Sequence, residues 1–230
     1  TSGFNVASHG FELNLKLLYA KLFDFNTLSD AKKSLSYQNP LIKSARDNSK
    51  IDSVNFVWKV MEKLFTEEEI LELVTKTKHD DDLLGSAAEH VKSREMLEFV
   101  WIKIKNLVKD DEKLKVLLQS KGIRGSNALI KSKWNKSSFE FLLNVYSEHF
   151  QLKDFIYDTN FSNENFYQNI IENDSTSMVE FATNLLKERL SSDDFKDFIM
   201  FREPIGKNLF HYASFNERNE NLVKFLANLI

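Results

Sequence analysis

Apolar residues recur along the chain in steps of three and four, the spacing that lays one apolar stripe along a helix. The clearest stripes read Phe56, Val57, Val60, Leu64; Phe99, Val100, Ile104, Leu107; Phe141, Leu142, Val145; and Phe181, Leu185, Leu186. Their leading phenylalanines, together with Phe225, stand 43, 42, 40 and 44 residues apart. A second register runs in step with the first. Asn39-Pro40-Leu41-Ile42-Lys43-Ser44 recurs as Asn127-Ala128-Leu129-Ile130-Lys131-Ser132 and as Asn208-Leu209-Phe210-His211-Tyr212-Ala213, with weaker copies beginning at Asp82 and Asn165. These anchors are 43, 45, 38 and 43 residues apart. Each has an apolar residue two positions later and a mostly small one five later. In a third register, Leu73, Leu118, Ile156 and Ile199 each lie nine residues before the next anchor. Three registers in step mark an internal repeat.

Each unit is expected to hold three pieces. A short helix starts at the Asn or Asp, whose side chain can accept from the free N–H groups of the first turn. The Phe-led helix follows. A third, short helix opens on acidic residues: Thr66-Glu67-Glu68-Glu69, Asp110-Asp111-Glu112 and Ser192-Asp193-Asp194. Thr66 with Glu69 fits a capping box, and carboxylates favour a helix N-terminus. One unit cannot bury its stripe alone, so stacking is expected to place the phenylalanines between units. The predicted fold class is an all-α helical repeat solenoid with two to three helices per repeat. Its units are 1–38 as a degenerate N-terminal cap, 39–81, 82–126, 127–164, 165–207 and a truncated 208–230. The first carries Leu13, Leu15, Leu17, Leu18 and Leu22, then a short helix from Leu28 to Leu35. The chain lacks an initiator Met and ends at Ile230 within a Phe-led helix, so a fragment of a longer protein is expected.

Composition narrows the picture. Two prolines and six glycines in 230 residues are few for the many turns of an all-β fold. A net charge of −3 argues against a chain built globally for nucleic acid. With no cysteine, disulfides, thiolate catalysis and cysteine metal sites are excluded. No apolar run reaches the length of a membrane span, and Thr1 to Gly10 has neither part of a signal peptide. His9, His79, His90, His149 and His211 form no paired metal spacing. His79-Asp80-Asp81-Asp82 reads as a solvated loop ending in an N-cap. Phosphate-cradling and nucleophile motifs are absent. The chain is therefore expected not to be an enzyme, with no catalytic, cofactor-binding or metal-binding residue and no cofactor.

Gly206-Lys207-Asn208-Leu209-Phe210-His211-Tyr212-Ala213 resembles the ankyrin signature G-x-T-P-L-H-x-A. Gly206, His211 and Ala213 match; Asn208, Leu209 and Phe210 stand for Thr, Pro and Leu. Leu222, Val223, Phe225 and Leu226 fall where the second ankyrin helix has its apolar core, and Gly125 to Leu129 is a weaker echo. The resemblance implies protein binding through inter-repeat loops and a concave face, and an intracellular setting. The units depart from the family in length, because ankyrin repeats are about 33 residues. The observed spacing of 38 to 45 residues also suits armadillo or HEAT repeats, the alternative geometry. Long, degenerate ankyrin units are similar to those of arthropod proteins and of bacterial effectors that act in a host cytosol. On that resemblance the chain reads also as a targeting or regulatory segment of a larger effector or enzyme.

The loops expected to carry recognition are Val74 to Asp81, Gln119 to Ser126, Tyr157 to Glu164 and Met200 to Lys207. From Gln119 to Phe139 there is no acidic residue, while Lys121, Arg124, Lys131, Lys133 and Lys136 surround Trp134. Phe161, Phe201 and Arg202 lie in the last two loops. This set is the expected binding surface, with an acidic segment of another protein as partner. A Trp amid cations offers large contact area at low entropic cost. The opposing readings are a solvated basic face with Trp134 tucked against the next unit, and loop aromatics that pack back as anchors.

Overall fold

The computed structural model describes residues 39–46, 50–75, 82–90, 94–122, 124–172, 176–214 and 220–229. They are all-α; beyond helices there is an isolated antiparallel bridge between Thr159 and Asn165. Expectations placed on residues 1–38, and on residues 76–81 of the first loop, lie outside the described residues. The chain divides into two compact units, Thr1–Asp110 and Asp111–Ile230. The first holds α1 (Pro40–Arg46), α2 (Ile51–Leu64), α3 (Glu67–Thr75), α4 (Leu83–His90) and α5 (Arg94–Leu107). The second begins with α6 (Asp111–Leu118) and α7 (Ala128–Lys131), which a 3-10 turn, Ser132–Trp134, continues. Then come α8 (Lys136–His149), α9 (Leu152–Phe155), α10 (Phe166–Glu172), α11 (Thr176–Arg189), α12 (Ser192–Met200), α13 (Leu209–Ser214) and α14 (Glu220–Ala227).

All five polar anchors immediately precede a helix and cap it. The side-chain oxygen of Asn39 accepts from the Ile42 amide at 3.3 Å, Asp82 from Gly85 at 2.6 Å, and Asn127 from Ile130 at 3.0 Å. Asn165 accepts from both Tyr167 and Gln168, at 3.1 and 2.9 Å, and Asn208 accepts from His211 at 3.3 Å. The need is acute because the helix starts lie inside. Asn39, Asp82, Asn127 and Asn165 are all buried, and an unmet N–H there has no water to turn to. Gln168 returns the favour to the Asn165 amide at 2.9 Å, and Thr66 and Glu69 close the expected capping box on α3. The cap of α12 is Ser191, one residue earlier than its acidic run alone indicates.

Three of the capped helices, α4, α7 and α10, show no stripe, because they are enclosed on almost every side; α1 keeps an exposed Lys43, and α13 an exposed His211 and Ser214. In α4 every residue from Leu83 to Ala88 is buried, and in α10 every residue from Phe166 to Ile171. The four helices of fourteen residues, α2, α5, α8 and α11, bury a one-sided stripe instead. Their fourth, seventh and eleventh residues all lie in the core: Val54, Val57, Met61; Leu97, Val100, Ile104; Phe139, Leu142, Tyr146; Val179, Ala182, Leu186. The phenylalanine that marks the repeat is the sixth residue of each. Phe56 is buried, but Phe99, Phe141 and Phe181 are half-buried, as is Phe225 in α14. The expectation that these phenylalanines form the core holds for Phe56 and is corrected for the other four. In α5, α8 and α11 position six falls just outside the buried arc, at 100° per residue, and in α5 and α11 a lysine side chain lies over its ring. Lys103 Nζ lies 5.8 Å from the Phe99 ring, and Lys136 Nζ 5.6 Å from Phe181.

In the first unit α1 packs on α4, α2 and α5 pack on these two in turn, and α3 meets α2, α4 and α5. In the second, α7, α10 and α13 pack in succession, with α8, α11 and α14 each on its own short helix. The aromatic heart of this unit joins three helices. The Phe166 ring centroid lies 5.4 Å from Phe139 and 5.8 Å from Phe198, stacked on the latter, while Tyr167 is 5.6 Å from Phe198. Leu73, Leu118, Ile156 and Ile199 are all buried at the ends of the third helices. Their spacing to the next anchor stays fixed where the spacing between anchors shortens to 38 residues. There the third helix, α9, is only four residues long, against nine in α3 and α12.

Phe139 and Phe141 are neighbours in sequence on opposite sides of this boundary. Phe139→Ala should cost about 3–5 kcal/mol of unfolding free energy in urea, and Phe141→Ala less than half as much. Equal losses would show that the marker phenylalanine is core after all.

Candidate functional site

Three turns of one design lead into α7, α10 and α13. Gly122 N donates to Ser126 O and Gly125 N to Gly122 O. Asn160 N to Glu164 O with Asn163 N to Asn160 O, and Glu203 N to Lys207 O with Gly206 N to Glu203 O, repeat the arrangement. Each turn has a left-handed residue two positions before its anchor: Gly125 at φ 72°, Asn163 at φ 63° and Gly206 at φ 85°. Glycine and asparagine are the residues that reach this region with least strain.

The first two turns lie against one another. Phe161 N donates to Arg124 O at 3.1 Å, and Lys121 Nζ donates to Thr159 O at 2.7 Å. The Phe161 ring sits on the α-carbon of Gly125, where an added Cβ would meet ring atoms at 2.5 and 2.7 Å. Even so, Phe161 is 74% exposed. Asn160 stiffens the turn beneath it, its Oδ1 accepting from Ser162 N at 2.9 Å and Glu164 N at 3.0 Å.

Trp134, at the end of the 3-10 turn, is 58% exposed. Lys133 Nζ lies 5.3 Å from its ring centroid and donates to Asn169 Oδ1 at 2.6 Å. Asn169 Nδ2 donates to Glu164 Oε2 at 2.9 Å, and Asn160 Nδ2 donates to the same oxygen at 2.8 Å. A continuous polar chain therefore runs from beside Trp134 to the turn that presents Phe161. Burial pushes the Glu164 carboxyl up, and Glu172 and Glu203 push it further, against the amide of Asn160 and the charge of Lys133. A carboxyl raised in the folded state stabilises the fold most at low pH, and this contribution is lost as pH rises through its folded value. Glu203 is buried and accepts from Tyr212 O–H at 2.8 Å. Burial and that bond hold the phenol above its ordinary range. Asp158, half-buried, is also raised by burial, with Lys121 and Asn127 opposing. In this region the half-buried and buried acids turn inward, while Lys121 and Arg124 remain exposed.

The residues expected from sequence divide accordingly. Lys121, Arg124 and Phe161 come together around the paired turns, and Lys133 and Trp134 join them through Asn169 and Glu164. Lys131 is buried, 6% exposed, and so lies beneath the surface rather than on it. Lys136 is exposed at the start of α8, over Phe181. Phe201 is half-buried with its ring 5.2 Å from Tyr157, a loop anchor, and Arg202 Nη1 donates to Gly206 O within the third turn. Asn160, Glu164 and Asn169 were not among the expected residues. The signal available for them was the density of asparagine and acid from Asp158 to Asn169, an unusual run for a plain connection.

Other titratable groups serve the fold. His149 Nδ1 lies 2.6 Å from Asp111 Oδ1 and ties the end of α8 to the start of α6. Bonds from His149 and Lys115 hold the Asp111 carboxyl down. His211 Nδ1 lies 2.7 Å from the capping oxygen of Asn208. Among the described residues, no group of His, Asp and Glu is arranged to hold a metal ion. No helix among them is long and apolar enough to cross a membrane. No protein-family model matches the chain, and no curated protein matches it.

Gly125→Ala and Gly206→Ala impose the same backbone strain, about 1 kcal/mol, but nothing lies within 4 Å of the Gly206 position. Gly125→Ala should therefore lower the melting temperature more and alter the Phe161 resonances, which Gly206→Ala leaves in place. Equal effects would mean that Phe161 is not seated on Gly125.

Proposed function

We propose that this protein is an interaction module: an ankyrin-like solenoid of elongated units that binds another protein and performs no chemistry of its own. The all-helical arrangement suits an interaction surface. The finer reading is supported by the recurring Asn or Asp cap, the left-handed residue two positions ahead of it, and the signature at Gly206 to Ala213. The observation that carries it is two large aromatics, Trp134 and Phe161, left exposed on a hydrogen-bonded scaffold. A rigid exposed aromatic loses little entropy on binding, which is how binding hot spots are made. Lys121 and Arg124 stand exposed around Phe161 while the acids there are withdrawn, so the partner surface is acidic. Nucleic acid is disfavoured by the net charge of −3.

The test is affinity for partner segments recovered with the immobilised chain and then synthesised, measured by calorimetry. Trp134→Ala combined with Arg124→Glu should weaken binding at least about tenfold, or about 1.4 kcal/mol. Raising salt should weaken binding to the unaltered chain. Unchanged affinity in the double variant would remove the partner from this surface.

A further inference from the structure

We propose that Trp134 and Phe161 are two anchors of a single surface, and that Glu164 is the positioning residue that holds them in register. The inference rests on the interaction reading above and assigns that surface its internal wiring. Trp134 and Phe161 belong to different elements, and each could have been an isolated exposed aromatic. The polar chain between them argues otherwise. One carboxylate oxygen, Glu164 Oε2, accepts from two carboxamides. One of these, Asn160, holds the Phe161 turn through Ser162 N and Glu164 N. The other, Asn169, accepts from the Lys133 ammonium, which lies over the Trp134 ring. Removing the oxygen takes away the bond that each of the two amides makes to it. Asn169 is buried and Glu164 half-buried, so water does not readily replace the lost bonds.

The charge around Glu164 adds a dependence on pH. Lys133 from the 3-10 turn is the facing cation; Glu172 of α10 and Glu203 of the third turn are the facing acids, the latter held by Tyr212 of α13. Protonating Glu164 removes its attraction for Lys133 and the charge assistance to both amides. Mild acid should therefore loosen Trp134 and the Phe161 turn together, with a midpoint above that of an ordinary glutamate.

Proton–nitrogen NMR on the full chain tests this without a partner, through the Trp134 indole N–H and the Ser162 amide. In the unaltered chain, both signals should move with one midpoint as pH falls from neutrality. Glu164→Ala should displace both at neutral pH, and Glu164→Gln, which keeps an oxygen acceptor, should restore both and abolish the titration. Asn169→Ala should stop the indole from following the titration while Ser162 still does. Separate midpoints, or a displaced Ser162 with an unmoved indole in Glu164→Ala, would overturn the coupling. Should Glu164→Ala fail to fold, the titrations of the unaltered chain and of Asn169→Ala decide alone. A surface that is coupled but binds no acidic segment would sink the interaction reading only. Binding that depends on Trp134 without coupling to Ser162 would sink this inference only.

Discussion

A helix of six to eight residues does not stand alone in water, because fixing its first turn costs more than its few hydrogen bonds return. The short helices α1, α4, α10 and α13 have that length, and α7 is shorter still. Each persists because a polar side chain meets its open N–H groups and because it packs on neighbouring helices. In α4 the capped helix has no solvent face to preserve from Leu83 to Ala88, so residues as small as Gly85, Ser86 and Ala87 can sit in its middle and admit α1 closely. The fourteen-residue helices then have a fixed bed to lie on, and the third helices end at a fixed distance from the next cap.

The surface chemistry grows from the same device. The residue two before the cap must turn left-handed, so the chain doubles back in a tight turn before every short helix in the second unit. Where consecutive turns lie together, a glycine in the first leaves room for a phenylalanine ring from the second. That ring is exposed yet seated. The cap also points the start of each short helix inward, and carboxylates near it follow. Glu164 and Glu203 are drawn into hydrogen bonds, and the exposed rim keeps its cations. A chain that is acidic overall thereby presents a basic and aromatic face at one place.

Much of the fold was legible in the sequence, and the parts that were not have identifiable reasons. The capped helices were found by recurrence; α4, α7 and α10 could not have been found by periodicity, since a helix buried on all sides has no apolar stripe. Phe56, Phe99, Phe141, Phe181 and Phe225 located five helices correctly, but of the five only Phe56 lies in the core. A repeated residue reports register, whereas burial depends on what covers it, and lysines lie over the rings of Phe99 and Phe181. Lys131 looked like a surface cation because its neighbours in sequence are; four residues after a buried cap, it lies inside. The polar chain through Asn160, Glu164 and Asn169 joins residues across a turn and a helix, and no spacing rule encodes which amide meets which carboxylate.

The dependence of the whole on its caps is open to one direct measurement: urea unfolding of Asn165→Ala beside Asn165→Asp, with the amide exchange of Tyr167 and Gln168 followed in each. Asn165 caps both amides from within the core. The alanine variant should lose about 1–2 kcal/mol and expose those two amides to exchange, while aspartate, an equal acceptor, keeps the stability near that of the unaltered chain. An alanine variant as stable and as protected as the original would show that packing alone holds the short helices, and the account built on their caps would fall.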